Sequence, residues 1–190
     1  GIIKPGSFVV LASQTEAAAE VLLRRSAEVG ATMAREGLEF GVRTREVAVG
    51  GQLLSFDGLA GHYDEVFLPL HGAHQAQNAA AALAAVEAFL GGGRDALDPD
   101  AVRAAFARAG SPGRLEVLRR SPTVLVDAAH NPAGARALAD ALTEEFAFGS
   151  LVAVVAALRD KDVRGILEAL EPVVEAIVAT ENSSPRALAV

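Results

Sequence analysis

An alternation of apolar strands and helices in the C-terminal part of the chain is the feature that most constrains its fold. The pattern predicts, in chain order, strand 115–118, strand 123–127, helix 132–146, strand 151–157, helix 162–172 and strand 175–180. Strands that are joined through helices run parallel and are covered by those helices. The order therefore predicts an α/β domain with a mainly parallel sheet.

The N-terminal part predicts a different organisation. A strand at 8–12 is followed by a helix that Thr15 caps and Gly30 ends. Residues 38–70 show no helical period, and their short apolar runs, separated by Gly-Gly and Asp-Gly pairs, predict antiparallel strands. Helices at 74–90 and 98–110 follow. The turn Ser111-Pro112-Gly113 then predicts a joint between domains 1–111 and 112–190.

Composition excludes several classes of function. The 190 residues are 51% hydrophobic and carry a net charge of -7, which argues against duplex DNA or an anionic membrane as the main partner. The chain has no cysteine, so it forms no disulfide, Cys-zinc site or thiol nucleophile, and this composition predicts a cytoplasmic location. No apolar run approaches the length of a transmembrane helix.

The first candidate site is the stretch TVLVDAAHNPAGARALADAL, residues 123–142. Ligands of open parallel sheets bind at the carboxyl ends of strands, where Asp127 and His130 are predicted to lie. A carboxylate there can accept two ribose hydroxyls, and an imidazole can donate to a phosphate or carboxylate oxygen. A solvated loop acid and a surface histidine are the structural alternatives. Asn131 has a sufficient structural role as the cap of a helix that begins at Pro132.

The second candidate site is the start of the helix in LPLHGAHQAQNAAAALAAVEAFL. His74, Gln75 and Asn78 share one helix face, where they can contact a base edge and a phosphate. Ordinary first-turn capping is the alternative interpretation. His71, in the preceding turn, is interpreted as incidental.

Three weaker candidates follow turns or strand ends. Arg114 lies at the predicted domain joint, where a guanidinium suits a triphosphate, although a plain linker charge explains it equally. Lys161 and the Ser183-Ser184 pair follow predicted strands at the ligand edge. The chain contains no G-x-x-x-x-G-K-[ST], G-x-G-x-x-G or H-E-x-x-H motif, so these residues include no phosphate-binding loop of a known type.

Six segments in this order resemble folylpolyglutamate synthase / dihydrofolate synthase of the Mur ligase superfamily: GIIKPG, LPLHGAHQAQNAAAA, SPGRLEV, VDAAHNPAGARAL, RDKD and SSPRAL. The H-Q-x-x-N-A helix and the D-x-A-H-N-P strand end are the most specific of them. The resemblance implies the back half of a central ATPase domain over 1–111 and a Rossmann-like C-terminal ligase domain over 112–190, truncated at its end. It also implies a fragment, because the family's phosphate-binding loop lies upstream.

The family reaction activates a folate or pteroate carboxylate with ATP as an acyl phosphate, which the amine of L-glutamate attacks. The resemblance implies ATP contacts for His74, Gln75, Asn78, Arg114 and Asp127. It further implies a catalytic role for His130 near the phosphate, and glutamate contacts for His130, Asn131, Ser183 and Ser184. Mg²⁺ is the implied metal, with its ligands mostly upstream and none assigned in this chain. The implied parent is monomeric, and the fragment is expected to be inactive alone.

Two other functions stay open. UDP-muramyl peptide ligases of the same superfamily share a comparable helix and strand end. Gln75 and Ala128 lie at the variable places of these two motifs, and the segment SSPRAL favours the folate branch. A non-catalytic nucleotide-binding module is the rival from another class. The sequence does not decide whether the parent adds the first glutamate, later ones or both, nor which folate form it uses.

Overall fold

The computed structural model describes residues 1–190 and divides into two compact units. The first unit comprises Gly1–Pro69 and His74–Ala109, and the second comprises Leu70–Ala73 and Gly110–Val190. The chain thus enters the second unit briefly before it returns to the first. The assignment of 1–111 to an ATP-binding domain and of 112–190 to a ligase domain stays a prediction.

The first unit contains five strands and three helices. They are β1 (Phe8–Leu11), α1 (Glu16–Val29), β2 (Thr32–Arg35), β3 (Gly41–Ala48), β4 (Gly51–Asp57), β5 (His62–Leu68), α2 (Ala73–Gly91) and α3 (Pro99–Phe106). The first residue of α2, Ala73, belongs to the second unit. Strand β2, which the sequence did not predict, pairs in parallel with β1. Helix α3 ends before the predicted Gly110.

An antiparallel sheet in the order β3-β4-β5 carries much of the core of the first unit. Gln52, Leu54 and Phe56 of β4 are buried while Leu53, between Gln52 and Leu54, is exposed, as the two-residue period of a strand requires. Helix α3 packs on this sheet, with the rings of Phe56 and Phe106 5.6 Å apart. The predicted antiparallel strands and the helix that begins at Pro99 are therefore present.

A buried carboxylate organises the turn between β4 and β5. Glu87 of α2 is fully buried and accepts hydrogen bonds from the Leu59 N–H at 2.6 Å and the Tyr63 hydroxyl at 2.7 Å. The Tyr63 oxygen in turn accepts the Leu97 N–H at 2.8 Å. A Cβ on Gly58 would lie 2.5 Å from a Glu87 oxygen, so only glycine fits there. Such a network stabilises a fold only while every member is paired.

We expect Tyr63→Phe to lower the free energy of unfolding by about 1–3 kcal/mol at pH 8, because the Leu97 N–H loses its acceptor and Glu87 loses a donor. Burial, with the hydrogen bond to Glu87, raises the pKa of Tyr63 from 10.0 to about 12. The neutral tyrosine therefore stabilises the fold fully below pH 10.0, and this contribution is lost as the pH rises towards about 12. Urea unfolding should show the difference between the two proteins shrinking over that range, and a constant difference would contradict the assignment.

The second unit alternates strands and helices. Its elements are β6 (Glu116–Arg120), β7 (Thr123–Val126), α4 (Pro132–Glu145), β8 (Val152–Val155), α5 (Val163–Leu170) with a 3-10 turn (Glu171–Val173), and β9 (Ala176–Ala179). Strands β6 and β7 pair antiparallel, and β8 and β9 pair in parallel. The α/β class is thereby confirmed. The strands form two separate ladders, since β7 and β8 share no hydrogen bonds.

Two apolar clusters hold the helices of the second unit. In one, Leu115, Ala141 and Leu142 are buried with Leu125 and Phe146 packed around them. The other cluster consists of Ala135 of α4 and of Ile166 and Leu170 of α5. Helix α4 contributes to both clusters, so its position is set from two sides. None of the helices in the chain is long and apolar enough to cross a membrane.

Candidate functional site

The carboxylate of Asp127 lies immediately after β7 and is bound to backbone on both sides. One oxygen accepts the Leu115 N–H at 2.8 Å, and the other accepts the Ala129 N–H at 2.7 Å. The side chain therefore joins the start of β6 to the loop after β7. Each carboxylate oxygen keeps a second lone pair for a further donor. Asp127 also lines an otherwise largely apolar cavity of about 200 Å³ beside β8.

The next residues of this loop have defined hydrogen bonds. His130 is exposed, and its Nδ1 lies 3.0 Å from the carbonyl oxygen of Ala128. Because a carbonyl only accepts, Nδ1 carries a proton, and the Nε2 of the neutral ring holds the lone pair. Nε2 can thus accept a proton in the neutral ring and donates to an anion only in the imidazolium. Asn131 caps α4, since its side-chain oxygen accepts the Gly134 N–H at 2.8 Å.

The N-termini of α4 and α5 meet at a glycine. Asp162 caps α5 by accepting the Gly165 N–H at 3.0 Å. A Cβ on Gly165 would lie 2.7 Å from Cγ of Pro132, the first residue of α4. The absence of a side chain at 165 is therefore what lets the two helix starts lie side by side, near the loops that follow β7 and β8.

We expect Gly165→Ala to lower the free energy of unfolding by about 1–3 kcal/mol, because the new methyl group overpacks against Pro132 and the Asp162 carboxylate. Helix propensity alone would predict a gain, since alanine is favoured over glycine in a helix. Gly149→Ala is the matched control because a Cβ there meets nothing within 4 Å. Chemical denaturation of both variants tests the packing, and a stabilised Gly165→Ala protein would refute it.

Two substitutions of Asn131 test whether its side chain caps α4. Asn131→Ala should lower the free energy of unfolding by about 1 kcal/mol through loss of the cap, whereas Asn131→Asp should leave it nearly unchanged because Asp caps equally well. Thermal or urea unfolding of the two variants gives the comparison. Equal losses for both would mean that the hydrogen bond to Gly134 is not what stabilises the start of α4.

The loops after β8 and β9 are joined through Arg159. Its backbone N–H donates to the Arg186 carbonyl at 3.0 Å, and its guanidinium donates to the carbonyls of Pro185 and Ala187, both at 3.2 Å. The Ser184 hydroxyl oxygen accepts the Arg186 N–H at 3.2 Å, so it shapes this loop. Ser183 is exposed beside it. The RDKD and SSPRAL segments therefore lie together in the second unit.

The second predicted cluster lies in the first turns of α2. The Asn78 amide donates to the side-chain oxygen of Gln75 at 3.2 Å, which confirms that the two share a helix face. Gln75 is nearly buried, while Asn78 is exposed and His74 is half-buried. Gln75 thus orients the Asn78 amide, which keeps a donor and an acceptor exposed. Such an amide suits a planar group that presents a donor beside an acceptor.

Arg114 is exposed, directly after Gly113 at the start of the second unit. Its backbone N–H donates to the Ser111 carbonyl at 3.1 Å, so the turn is ordered around it. The chain contains no group of three or more His, Asp or Glu side chains that could hold a metal ion.

Sequence reasoning missed a pair that the fold brings together. His71, interpreted as incidental, places its Nδ1 2.7 Å from a carboxylate oxygen of Glu145 at the end of α4, and both residues belong to the second unit. The other oxygen of Glu145 accepts the Gly72 N–H at 2.7 Å. A glutamate in the last turn of a helix, where the macrodipole disfavours negative charge, was the one local signal available.

The model of the family "Mur ligase, glutamate ligase domain" matches residues 113–190. This stretch, nearly the whole second unit, is therefore similar to the ligase domains of that family. The resemblance to folylpolyglutamate and dihydrofolate synthases, predicted from the sequence, extends over nearly the whole chain, and the following similarities confirm it.

The dihydrofolate synthase/folylpolyglutamate synthase of Mycobacterium tuberculosis is 56% identical over 97% of this chain and 38% of its own length. The Bacillus subtilis counterpart is 32% identical over 98% of this chain and 44% of its own. The structure of the M. tuberculosis folylpolyglutamate synthase complexed with ADP superposes with a TM-score of 0.94, covering 96% of this chain and 40% of that one. A folylpolyglutamate synthase–AMPPCP–folate complex, 29% identical, gives 0.84 over 94% of this chain and 44% of that one. The chain thus spans about two fifths of the length of these relatives.

Proposed function

We propose that this chain forms the nucleotide- and glutamate-binding part of an ATP-dependent amide ligase that adds L-glutamate to folate, to dihydropteroate or to both. The observation that carries the proposal is the gathering of Asp127, His130 and Asn131 after β7, with backbone hydrogen bonds that hold each side chain in place. The similarity to folylpolyglutamate synthases whose structures hold ADP or AMPPCP with folate supports the choice of substrates. The expected parent is a monomeric cytoplasmic enzyme with small-molecule substrates.

The nucleotide is assigned to five side chains. Asp127 is suited to the ribose because each of its oxygens keeps a lone pair beyond those bound to Leu115 and Ala129. Asn78, oriented by Gln75, is suited to the adenine edge, with His74 beside it. Arg114 is exposed and suits the phosphates, since a guanidinium binds phosphate oxygens through paired hydrogen bonds.

Glutamate is assigned to the loops after β7 and β9. The Asn131 oxygen is occupied by Gly134, so its NH₂ group is what remains for a carboxylate. The hydroxyls of Ser183 and Ser184 can donate to the same substrate. When the amine attacks the acyl phosphate, the C–N bond forms, phosphate leaves and the amine loses a proton. The Nε2 lone pair of neutral His130 is the proposed acceptor of that proton.

The chain has no group of three or more His, Asp or Glu side chains that could hold a metal ion. In ATP-dependent enzymes Mg²⁺ commonly takes one or two carboxylates together with the nucleotide phosphates, and it neutralises their charge. We therefore propose that any Mg²⁺ enters with ATP, and we assign none of the residues of this chain to it.

Nucleotide binding is tested with the 190-residue chain itself. Asn78→Ala should weaken ADP binding by roughly 5- to 200-fold, the usual effect of losing one specific hydrogen-bonding side chain, about 1–3 kcal/mol. Gln77→Ala, an exposed neighbour on α2, is the matched control and should bind as the wild type does. Calorimetric titration with ADP measures both. Equal affinities for Asn78→Ala and wild type would remove Asn78 from the site.

Turnover is tested in a chimera in which these residues replace the 185 matching residues of the M. tuberculosis enzyme. With ATP, Mg²⁺, glutamate and either dihydropteroate or tetrahydrofolate, ADP release should require both glutamate and a pterin substrate. The 190 residues alone should release none, because they contain no phosphate-binding loop. Release only with UDP-muramyl substrates would transfer the proposal to that branch, and nucleotide binding without turnover in a folded chimera would favour the non-catalytic module.

A further inference from the structure

Residues 70–73 occupy a special place in the chain. The first unit ends its first part at Pro69 and resumes at His74, while the four residues between them belong to the second unit. Helix α2 begins within this segment, at Ala73, and continues in the first unit. Whatever holds residues 70–73 therefore also holds the start of the helix that carries the predicted nucleotide side chains.

Glu145, the last residue of α4, holds this segment. Its side chain is fully buried, and its two oxygens accept the Gly72 N–H and bind Nδ1 of His71, each at 2.7 Å. The His71 ring also lies against Phe146, with centroids 5.0 Å apart, and Phe146 stacks on Phe148 at 5.4 Å. Residues 71 and 72 are thus bound through backbone, side chain and ring to the end of α4.

A buried carboxylate at the C-terminal end of α4 is energetically unfavourable by itself. Burying its charge costs free energy unless hydrogen bonds replace its water, and the C-terminal end of a helix repels it. An apolar side chain would serve packing alone, because the neighbouring Leu142 and Phe146 already form an apolar cluster. What the carboxylate adds is two directed hydrogen bonds to consecutive residues of another segment.

Those bonds act where the chain enters α2. Gly72 is buried and has φ 94°, a conformation that glycine adopts readily and other residues avoid. Ala73, the next residue, starts the helix, and His74, Gln75 and Asn78 follow within two turns. Loss of order at Gly72 would therefore fray the first turn of α2, which carries His74 and Gln75, and Asn78 donates to Gln75.

We propose that Glu145 is a positioning residue for nucleotide binding: by holding His71 and Gly72 it fixes the first turn of α2 and with it His74, Gln75 and Asn78. The inference rests on the proposed function, because it names a residue that acts through the proposed adenine site. Glu145 itself is assigned no contact with the nucleotide.

Three substitutions test this in the 190-residue chain, with Glu168→Gln, an exposed glutamate of α5, as the matched control. Glu145→Ala removes both acceptors, Glu145→Gln keeps one oxygen for the Gly72 N–H, and His71→Phe keeps a ring against Phe146 but loses Nδ1. Amide hydrogen exchange at residues 72–78 reports the start of α2, exchange in β8 and α5 reports the folding of the second unit, and calorimetry gives the ADP affinity.

We expect Glu145→Ala to speed exchange at 72–78, to leave β8 and α5 protected, and to weaken ADP binding by about 5- to 150-fold, the usual range of coupling between sites. Glu145→Gln and His71→Phe should lie between it and wild type, and Glu168→Gln should match wild type. ADP affinity of Glu145→Ala within about twofold of wild type would overturn the inference. Equal loss of protection throughout the second unit would also overturn it, as a purely structural role predicts. A wild-type chain that binds no ADP would instead count against the proposed function, and exchange at 72–78 would still decide whether Glu145 holds α2.

Discussion

The carboxylate of Asp127 accepts two backbone N–H groups, and the arrangement of the candidate site depends on that pairing. Its bond to Leu115 ties the start of β6 to the carboxyl end of β7, and its bond to Ala129 begins the loop that leads to His130 and Asn131. Loops at strand ends lack the ladder that holds strands, so a side-chain acceptor must take its place. His130 and Asn131 follow directly, so the hydrogen bond that holds Ala129 also fixes where these two side chains begin.

In several loops and helix starts, a side-chain oxygen accepts a backbone N–H group that has no partner in a helix or strand. The side chain then has fewer atoms left to bind a ligand. Asn131 and Asp162 cap the two helices that meet at Gly165, while Glu87 and Glu145 do the same for turns. Structural and ligand-binding roles are therefore not alternatives here. A capping Asn retains its NH₂ group, and the bridging carboxylate of Asp127 retains lone pairs, so a residue that holds the backbone still has atoms for further hydrogen bonds.

Most elements were predictable where the signal is local. The starts of α4 and α5 followed from Asn131-Pro132 and Asp162, because caps act within one turn. Strand β2 was missed because its four residues, Thr32–Arg35, are too few to show a two-residue hydrophobic period. The strand forms through its pairing with β1. A mainly parallel sheet was expected from the β-α-β order. The strands form one parallel and one antiparallel ladder, since order along the chain does not determine which strand edges meet. The site residues were proposed from type and position, and their roles stay predictions.

The sequence by itself determined the alternation of strands and helices, the helix starts and the identity of the polar residues at strand ends, because period and capping act over a few residues. Only the tertiary structure decided that Tyr63 and Glu87 share a buried network and that His71 and Gly72 are held by Glu145. These partners lie 24, 74 and 73 positions apart. Contacts at such separations form when packed elements bring distant groups together and exclude water from them, and the residues next to one partner do not identify the other.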